Sequence, residues 1–189
     1  TPLFQAKTSF LRNDDLDNRI YEKLKLAGVD LPLYSKFSNN AVSPHALATQ
    51  LILEKAGCNV NIASILGAHH GKPQNIQMLQ NNTMETFPEN YYYKDRPFWE
   101  AIHEELIGFS LQLAGFENIN ILPKPNLGQQ VILSALVIVI DWLVSNENYF
   151  PNMSLEEKAN TDVSKTRVAN AWDSLNFAYP WQASNEYFG

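Results

Sequence analysis

The segment SPHALATQLILEKAG, residues 43–57, decides the fold class of this 189-residue chain. Its first two residues are typical of a helix start, with Ser43 as the N-cap and Pro44 in the first helical position. Gly57 is typical of a helix end, and most positions between are apolar. The segment therefore predicts one complete helix with His45 in its first turn, on the same face as Thr49 and Ile52.

Similar start and stop signals recur along the rest of the chain. Leu16, Ile20 and Leu24 are spaced by four residues, which predicts an amphipathic helix that ends at Gly28. Neither Asn-Gly nor Asp-Gly hairpin signals occur in the sequence, and there is little alternation of apolar and polar residues. The predicted class is therefore all-α. Further helices are predicted within residues 1–10, 61–71, 95–115, 126–146 and 154–175 (the last opened by a Ser154/Glu157 capping box), with a polar, aromatic loop at 81–94 and an irregular connector at 176–189.

Composition limits the functions that the chain can have. Apolar residues make up 45% and charged residues 18%, as in a globular domain, and the net charge is −6. This charge argues against broad, non-specific adhesion to nucleic acid or anionic membranes, but it allows a local nucleic-acid site built around metal ions. Cys58 is the single cysteine, so no internal disulfide forms. We predict a reducing, cytoplasmic setting and a packing role for Cys58.

The most apolar stretch, residues 131–144, is predicted to be a buried core helix. It is short for a bilayer span and contains Asp141, so we expect no membrane contact. The first residues show neither the basic nor the apolar region of a signal peptide. They also lack an initiator methionine, so we expect the chain to begin inside a longer protein.

Two of the four histidines are adjacent, in the segment ASILGAHHGKPQ at residues 63–74. Neighbouring helical positions diverge by about 100°, but the backbone can turn at a helix end and let His69 and His70 converge on one metal ion. The alternative is a surface pair favoured by the helix C-terminus. His45 is either a third ligand or a capping or core residue, and His103 is predicted to lie on a solvated face.

Asp141 follows ten residues of which nine are apolar. A buried, unpaired carboxylate is costly, so this group is expected to be neutralised, paired or metal-bound. The alternative is a carboxylate that caps a neighbouring helix. Ser145, one turn later, would share its surroundings. Three histidines and one aspartate on three helices suit a metal-dependent phosphoesterase, in which a metal generates hydroxide near neutral pH.

Three segments, SPHALATQLIL (43–53), ASILGAHHGKP (63–73) and DWLVSNENYFP (141–151), resemble in order and spacing the HD nuclease domain of the CRISPR-associated nuclease-helicase of type I systems. The resemblance covers nearly the whole chain. It implies an all-α, HD-type helical bundle, with residues 1–150 as the larger, C-terminal part of the nuclease domain. Residues 151–189 would be a closing helix and a connector toward a helicase part.

The resemblance also implies a function. Members of this family are metal-dependent endonucleases of single-stranded DNA in CRISPR antiviral defence, coupled to an ATP-dependent helicase and recruited by an RNA-guided surveillance complex. It implies that His45, His69 and His70 hold one metal ion and that Asp141 belongs to the other, with His69, His70 and Asp141 catalytic. The metal would be Mn, Co, Ni, Fe or Zn, which the sequence does not distinguish. Lys72 and Ser145 are the expected DNA contacts.

One departure from the family pattern is clear. The family is named for a His-Asp pair, which these 189 residues lack, and the first residues, TPLFQAK, resemble the segment that follows it. We therefore expect this chain to be inactive alone and to self-associate through a truncated face. Two alternatives are a nucleotide phosphohydrolase of the His-Asp superfamily and a non-catalytic docking module. In the latter, the aromatic segment 87–99 would contact a partner, unless its rings cover a small core.

Overall fold

The structure, a computed structural model, describes residues 2–5, 14–37, 39–151, 153 and 161–175. Helices dominate these residues, no β-strand occurs among them, and the predicted all-α class is confirmed. Short 3-10 turns cover Tyr34–Lys36, Asn40–Val42 and Ile119–Ile121. The α-helices are α1 (Pro2–Gln5), α2 (Asp14–Leu26), α3 (His45–Lys55), α4 (Val60–Gly67), α5 (Ile76–Asn81), α6 (Pro88–Tyr92), α7 (Arg96–Leu113), α8 (Leu127–Val144) and α9 (Thr161–Leu175).

Glycine ends three of these helices where the sequence predicts it. Gly28, Gly57 and Gly115 have φ values of +85°, +88° and +75°, the left-handed region that favours glycine. After α3 the amide of Gly57 donates to Glu54 and that of Cys58 donates to Leu53. These paired bonds satisfy the last carbonyls of the helix. The chain is thereby turned sharply at the end of α3.

The helix starts agree less well with the sequence. Asp95 caps α7 by accepting from the amide of Phe98, and Asn59 caps α4 by accepting from that of Asn61. The predicted cap of α3 is wrong by one residue, because Pro44 occupies the N-cap and provides no side-chain hydrogen bond. Ser43 is buried instead and binds another part of the chain.

The first of two compact units comprises Thr1–Ile138. Its main core joins side chains from α3, α6, α7 and the loops next to these helices. The segment 81–94, predicted to be a loop, contains α6, and the rings of Tyr91 and Tyr92 lie in the core. Of the two readings of this segment, the one in which its rings cover a core is confirmed for these tyrosines. The buried residues of the cluster are Leu31, Ala48, Met84, Tyr91, Tyr92 and Trp99.

Helix α8 is present as predicted, but the prediction that it is buried is wrong. None of its residues is buried in the described part of the chain. Its 18 residues have a mean hydropathy of 1.9, so by length and composition it could cross a membrane. One such helix also fits a core helix of a soluble protein, so this is weak evidence for a span. The helix includes four residues before the apolar stretch 131–144, and that stretch by itself is short for a bilayer span.

The second unit comprises Val139–Gly189 and contains the end of α8 and all of α9. Within it Arg167 donates to the Pro151 carbonyl oxygen at 2.7 Å, and its guanidinium lies over the Phe150 ring. The predicted final helix is described from Thr161 onward. The Ser154/Glu157 capping box, the connector at 176–189 and the continuation of the first helix beyond Gln5 lie outside the described residues, and the predicted boundary at residue 150 stays a prediction.

Candidate metal centre

Three histidines converge at one end of the α3–α4 pair. His45 is the first residue of α3, whereas His69 and His70 lie in the turn after α4. Residues 56–59 alone join the two helices, which pack against each other. Because a short connection makes consecutive helices antiparallel, the start of α3 lies beside the end of α4. The order of elements therefore brings the three histidines together.

A glycine allows the two helices to approach closely. A Cβ atom at Gly67, the last residue of α4, would lie 2.8 Å from the Cβ of Gln50 and 3.3 Å from the carbonyl oxygen of Ala46. Contacts this short leave no room for a side chain. The Gly67 carbonyl also accepts a hydrogen bond from the Gln74 side chain. The backbone two residues before His69 is thus fixed from both sides.

The turn after α4 makes adjacent histidines face the same point. Gly71 has a φ of +90°, and its amide donates to the Ala68 carbonyl oxygen at 2.7 Å. Because the chain leaves the helical path here, the rings of His69 and His70 do not diverge as they would inside a helix. Their centroids lie 4.2 Å apart. The convergence that the sequence permits is therefore present.

The imidazole nitrogens form a compact group. The Nε2 of His45 lies 3.0 Å from the Nε2 of His69 and 2.6 Å from that of His70. One ligand nitrogen from each ring lies within 4.8 Å of the others. In a neutral imidazole each ring nitrogen carries either a proton or a lone pair. The Nε2 of His45 therefore cannot form a good hydrogen bond with both neighbouring Nε2 atoms at once. A shared cation satisfies three converging lone pairs at once.

The backbone sets the tautomer of His69. Its Nδ1 lies 2.7 Å from the Leu66 carbonyl oxygen, which can only accept a hydrogen bond. The Nδ1 therefore carries the proton in the neutral ring, and the Nε2 presents its lone pair to the cluster. Such a partner on the second ring nitrogen is usual for metal-binding histidines, since it fixes the ring orientation and raises ligand basicity.

The donor set fits a divalent transition metal. Nitrogens that bind one ion at about 2.0–2.1 Å lie about 3 Å apart when they subtend a right angle, close to the observed spacing. Three imidazoles without a carboxylate favour transition metals over magnesium or calcium. His45 and His70 are exposed and His69 is half-buried. The site is thus open to water or substrate on the solvent side.

The remaining predicted site residues are distributed over both units. Lys72 is exposed and follows Gly71, so it lies directly after the histidine turn. Asp141 lies near the end of α8 in the second unit and is half-buried rather than buried. Ser145 is exposed, and its amide donates to the Asp141 carbonyl oxygen at 3.0 Å. The ligand roles of Asp141 and the DNA contacts of Lys72 and Ser145 stay predictions.

The prediction for His103 is wrong. Its Nε2 is buried and has no hydrogen-bond partner in the described part of the chain. Burial lowers the pKa of His103 to about 4, so the ring is neutral near pH 7. Helical spacing contains the missed signal, because Trp99, His103 and Ile107 lie on one face of α7, and Trp99 belongs to the core.

Cys58 has the packing role that the sequence predicts. Its side chain is buried with Ala63 and Ile119 in a small apolar cluster. Burial raises the pKa of the Cys58 thiol, which disfavours the reactive thiolate. A nucleophilic role for this cysteine is therefore unsupported.

A helical scaffold with three converging histidines and an HD-type order of motifs defines the class of HD-type helical domains. The chain matches the family described as "Cas3, HD domain" over residues 1–150, and it belongs to this family. The resemblance inferred from three segments is confirmed, and it places the chain among CRISPR-associated nuclease domains.

One curated relative matches the chain over its entire length. The sequence is 32% identical to the CRISPR-associated nuclease/helicase Cas3 of Streptococcus thermophilus and covers 22% of that protein. The chain thus spans about a fifth of its relative. No solved structure gives a significant match.

Proposed function

We propose that this chain forms the histidine-rich part of a metal-dependent nuclease domain that cleaves single-stranded DNA. The observation that carries the proposal is the convergence of His45, His69 and His70. The Nε2 of His45 lies 3.0 Å from that of His69 and 2.6 Å from that of His70. Membership of the Cas3 HD family supports phosphodiester hydrolysis as the chemistry at this site.

Each residue has a distinct part in this proposal. His69, oriented by the Leu66 carbonyl oxygen, and the flanking His45 and His70 bind the metal, which when bound supplies hydroxide near neutral pH and neutralises phosphoryl charge. Asp141 provides a carboxylate for a second ion. Lys72, exposed after the histidine turn, contacts a phosphate of the strand, and Ser145 makes a further polar contact. The metal is one of Mn, Co, Ni, Fe or Zn.

The wider setting rests on the relative. Because that protein is a nuclease/helicase, we propose that a helicase domain of the same polypeptide uses ATP to deliver strand to this site. We further propose an RNA-guided surveillance complex as the partner that exposes the strand in antiviral defence. The cytoplasm is the expected location, in keeping with the single, unpaired Cys58.

Metal titration tests the ligand set. The chain is titrated with cobalt, manganese or zinc by calorimetry, alongside His70→Ala and the control His103→Leu. We expect His70→Ala to weaken binding at least tenfold and His103→Leu to leave it unchanged, because His103 lies outside the cluster. Affinity should fall as the pH is lowered, since protonated imidazole cannot bind a metal. Equal binding by the parent chain and His70→Ala contradicts the assignment.

A substrate panel tests the reaction. The panel compares circular single-stranded DNA, duplex DNA and nucleoside triphosphates, with and without EDTA. The chain is assayed alone and fused to an N-terminal segment that supplies the family's His-Asp pair. Metal-dependent cutting of circular single strands by the fusion supports the proposal. Preferential hydrolysis of nucleoside triphosphates would instead indicate a nucleotide phosphohydrolase, and metal binding without any hydrolysis would indicate a docking module.

A further inference from the structure

The side chains at the centre of the segment 81–94 are too buried to form a docking surface. Asn90, Tyr91 and Tyr92 are each no more than 1% exposed. A partner or a nucleic-acid base therefore has no access to these three side chains. Their polar atoms point instead toward neighbouring parts of the chain, and one of those parts leads into the metal site.

Asn90 and Asn82 hold the two residues, Val42 and Ser43, that lie just before the start of α3. The Asn90 amide donates to the Ser43 hydroxyl oxygen at 2.9 Å, and Ser43 is itself only 1% exposed. The Tyr91 hydroxyl donates to the Asn82 carbonyl oxygen at 3.2 Å. The Asn82 side-chain amide in turn donates to the Val42 carbonyl oxygen at 2.9 Å. Residues 42 and 43 are thus fixed by side chains of α6 and of the residue after α5.

The hydrogen bonds from Asn90 to Ser43 and from Asn82 to Val42, called the anchor below, replace the usual helix cap. Ser43 is of the residue type that most often caps a helix, yet its hydroxyl faces Asn90, and α3 starts from Pro44 without a side-chain cap. The first turn of α3 therefore depends on the buried Ser43 contact for its orientation. His45 is the first residue of that turn, so its ring position follows from the same contact.

The anchor also leaves one buried polar atom of Asn90 unsatisfied, which costs folding stability. Asn90 Oδ1 is buried without a hydrogen-bond partner among the described residues. Such an acceptor is destabilising, and an apolar side chain of similar size often serves a core better. The asparagine thus supplies an orienting bond at the expense of an unsatisfied oxygen.

Helix α6 supports a second neighbour of His45. Helix α1 packs against α6, and the ring of Phe4 in α1 meets the His45 ring edge to face, with centroids 5.7 Å apart. One short helix therefore backs both the start of α3 and the aromatic contact on its histidine.

We propose that Asn90 and Ser43 are positioning residues for His45, which they orient toward His69 and His70 through the start of α3. This inference rests on the proposed metal site. It assigns to the segment 81–94 a function in building that site.

Cobalt titration of paired variants tests the inference. Asn90→Leu keeps the branched shape of the side chain and removes the bond, and Ser43→Ala removes the same bond from the other side. Tyr92→Phe is the matched control, because it removes a buried hydroxyl of α6 that bonds Met84 and Lys55 rather than Ser43. Affinity and the visible absorption spectrum of bound cobalt are recorded at a temperature where each variant is folded, and unfolding by urea is followed in EDTA.

The expected result separates position from stability. We expect Asn90→Leu and Ser43→Ala each to weaken cobalt binding about tenfold, the lower end of the effect of outer-shell partners, and to change the cobalt spectrum. The double variant should be no weaker than either single one, because both remove one bond. Tyr92→Phe should bind as the parent chain does, whatever its urea midpoint.

Two other outcomes overturn the inference in distinguishable ways. If both variants bind cobalt with parental affinity and spectrum, Asn90 and Ser43 do not position His45, and the proposed metal site is unaffected. If the parent chain itself binds no cobalt, the metal site fails and the positioning role fails with it. Should Asn90→Leu not fold, Ser43→Ala alone decides.

Discussion

Gly67 in α4 and Gln50 in α3 touch so closely that a methyl group at Gly67 would lie 2.8 Å from the Gln50 Cβ. Gln50 cannot withdraw easily, since it is 2% exposed and its amide donates to the Glu54 carboxylate at 2.8 Å. The spacing of the two helices, and hence of His45 and His69, is therefore set by the absence of a side chain at one position.

The first prediction concerns this contact. We expect Gly67→Ala to destabilise the fold by about 1–3 kcal/mol, as overpacking of a core typically does, and to weaken metal binding. Gly108→Ala is the matched control, because a Cβ there meets nothing within 4 Å and the site lies inside α7. Higher helix propensity should make this control up to about 1 kcal/mol more stable. Urea unfolding and metal titration measure both effects, and an unchanged Gly67→Ala contradicts the argument.

Local signals in the sequence predicted much of this fold. The ends of α2, α3 and α7 at Gly28, Gly57 and Gly115 follow from backbone conformations that glycine adopts at little cost. The turn before Gly71 likewise permitted the two adjacent histidines to converge. These features depend on a few neighbouring residues, so they can be predicted from the sequence alone.

Contacts between distant residues were not predictable in the same way. Ser43 has the chemistry of a helix cap, and only the position of Asn90, 47 residues later, directs its hydroxyl elsewhere. His103 lies between charged residues in the sequence, but the core face of α7 buries its Nε2. Helix α8, which contains Asp141, was expected to be buried because its composition is apolar. Composition does not supply the partner that covers a surface.

The second prediction concerns the pH dependence of stability. Burial lowers the pKa of His103 to about 4, whereas an unfolded histidine titrates near 6.5. Between these values the unfolded chain binds a proton that the folded chain excludes. Stability should therefore be greatest above pH 6.5 and fall toward pH 4, by at most about 1.4 kcal/mol per pH unit.

His103→Leu isolates this effect. Urea unfolding in EDTA between pH 5 and 7 should show a smaller loss of stability for His103→Leu than for the parent chain. Glu100 does not interfere, because hydrogen bonds from Lys55 and Arg96 lower its pKa and its contribution is lost only below this window. Parallel pH profiles for the two proteins would show that His103 is protonated as easily when folded as when unfolded.

The third prediction concerns the exposed face of α8. Val131, Ile132 and Leu136 are 64%, 69% and 51% exposed, and contiguous apolar surface of this kind favours association. We expect concentration-dependent self-association in sedimentation velocity, reduced when Ile132 and Leu136 are both changed to Gln. Leu26→Gln is the control, because Leu26 is an exposed leucine of α2 that lies outside this face. A chain that stays monomeric at all concentrations contradicts this expectation.

The last prediction concerns catalysis and Asp141. Two-metal cleavage of a phosphodiester places the ions about 3.5–4 Å apart, so that both the attacking and the leaving oxygen are stabilised. The three histidines provide ligands for one ion, whereas the family's His-Asp pair is absent from these 189 residues. One carboxylate, Asp141, binds a second transition ion only weakly. We therefore expect little cleavage of circular single-stranded DNA by the chain alone, and metal-dependent cleavage once a His-Asp segment is fused to it.

In the fusion, Asp141→Asn should reduce cleavage at least a hundredfold with an unchanged urea midpoint, because asparagine keeps the shape and loses the charge. Asp162→Asn, a carboxylate in the first turn of α9, is the control and should cut normally. Strong, EDTA-sensitive cutting by the unfused chain would show that one histidine-bound ion suffices, and full activity of Asp141→Asn in the fusion would remove Asp141 from the site.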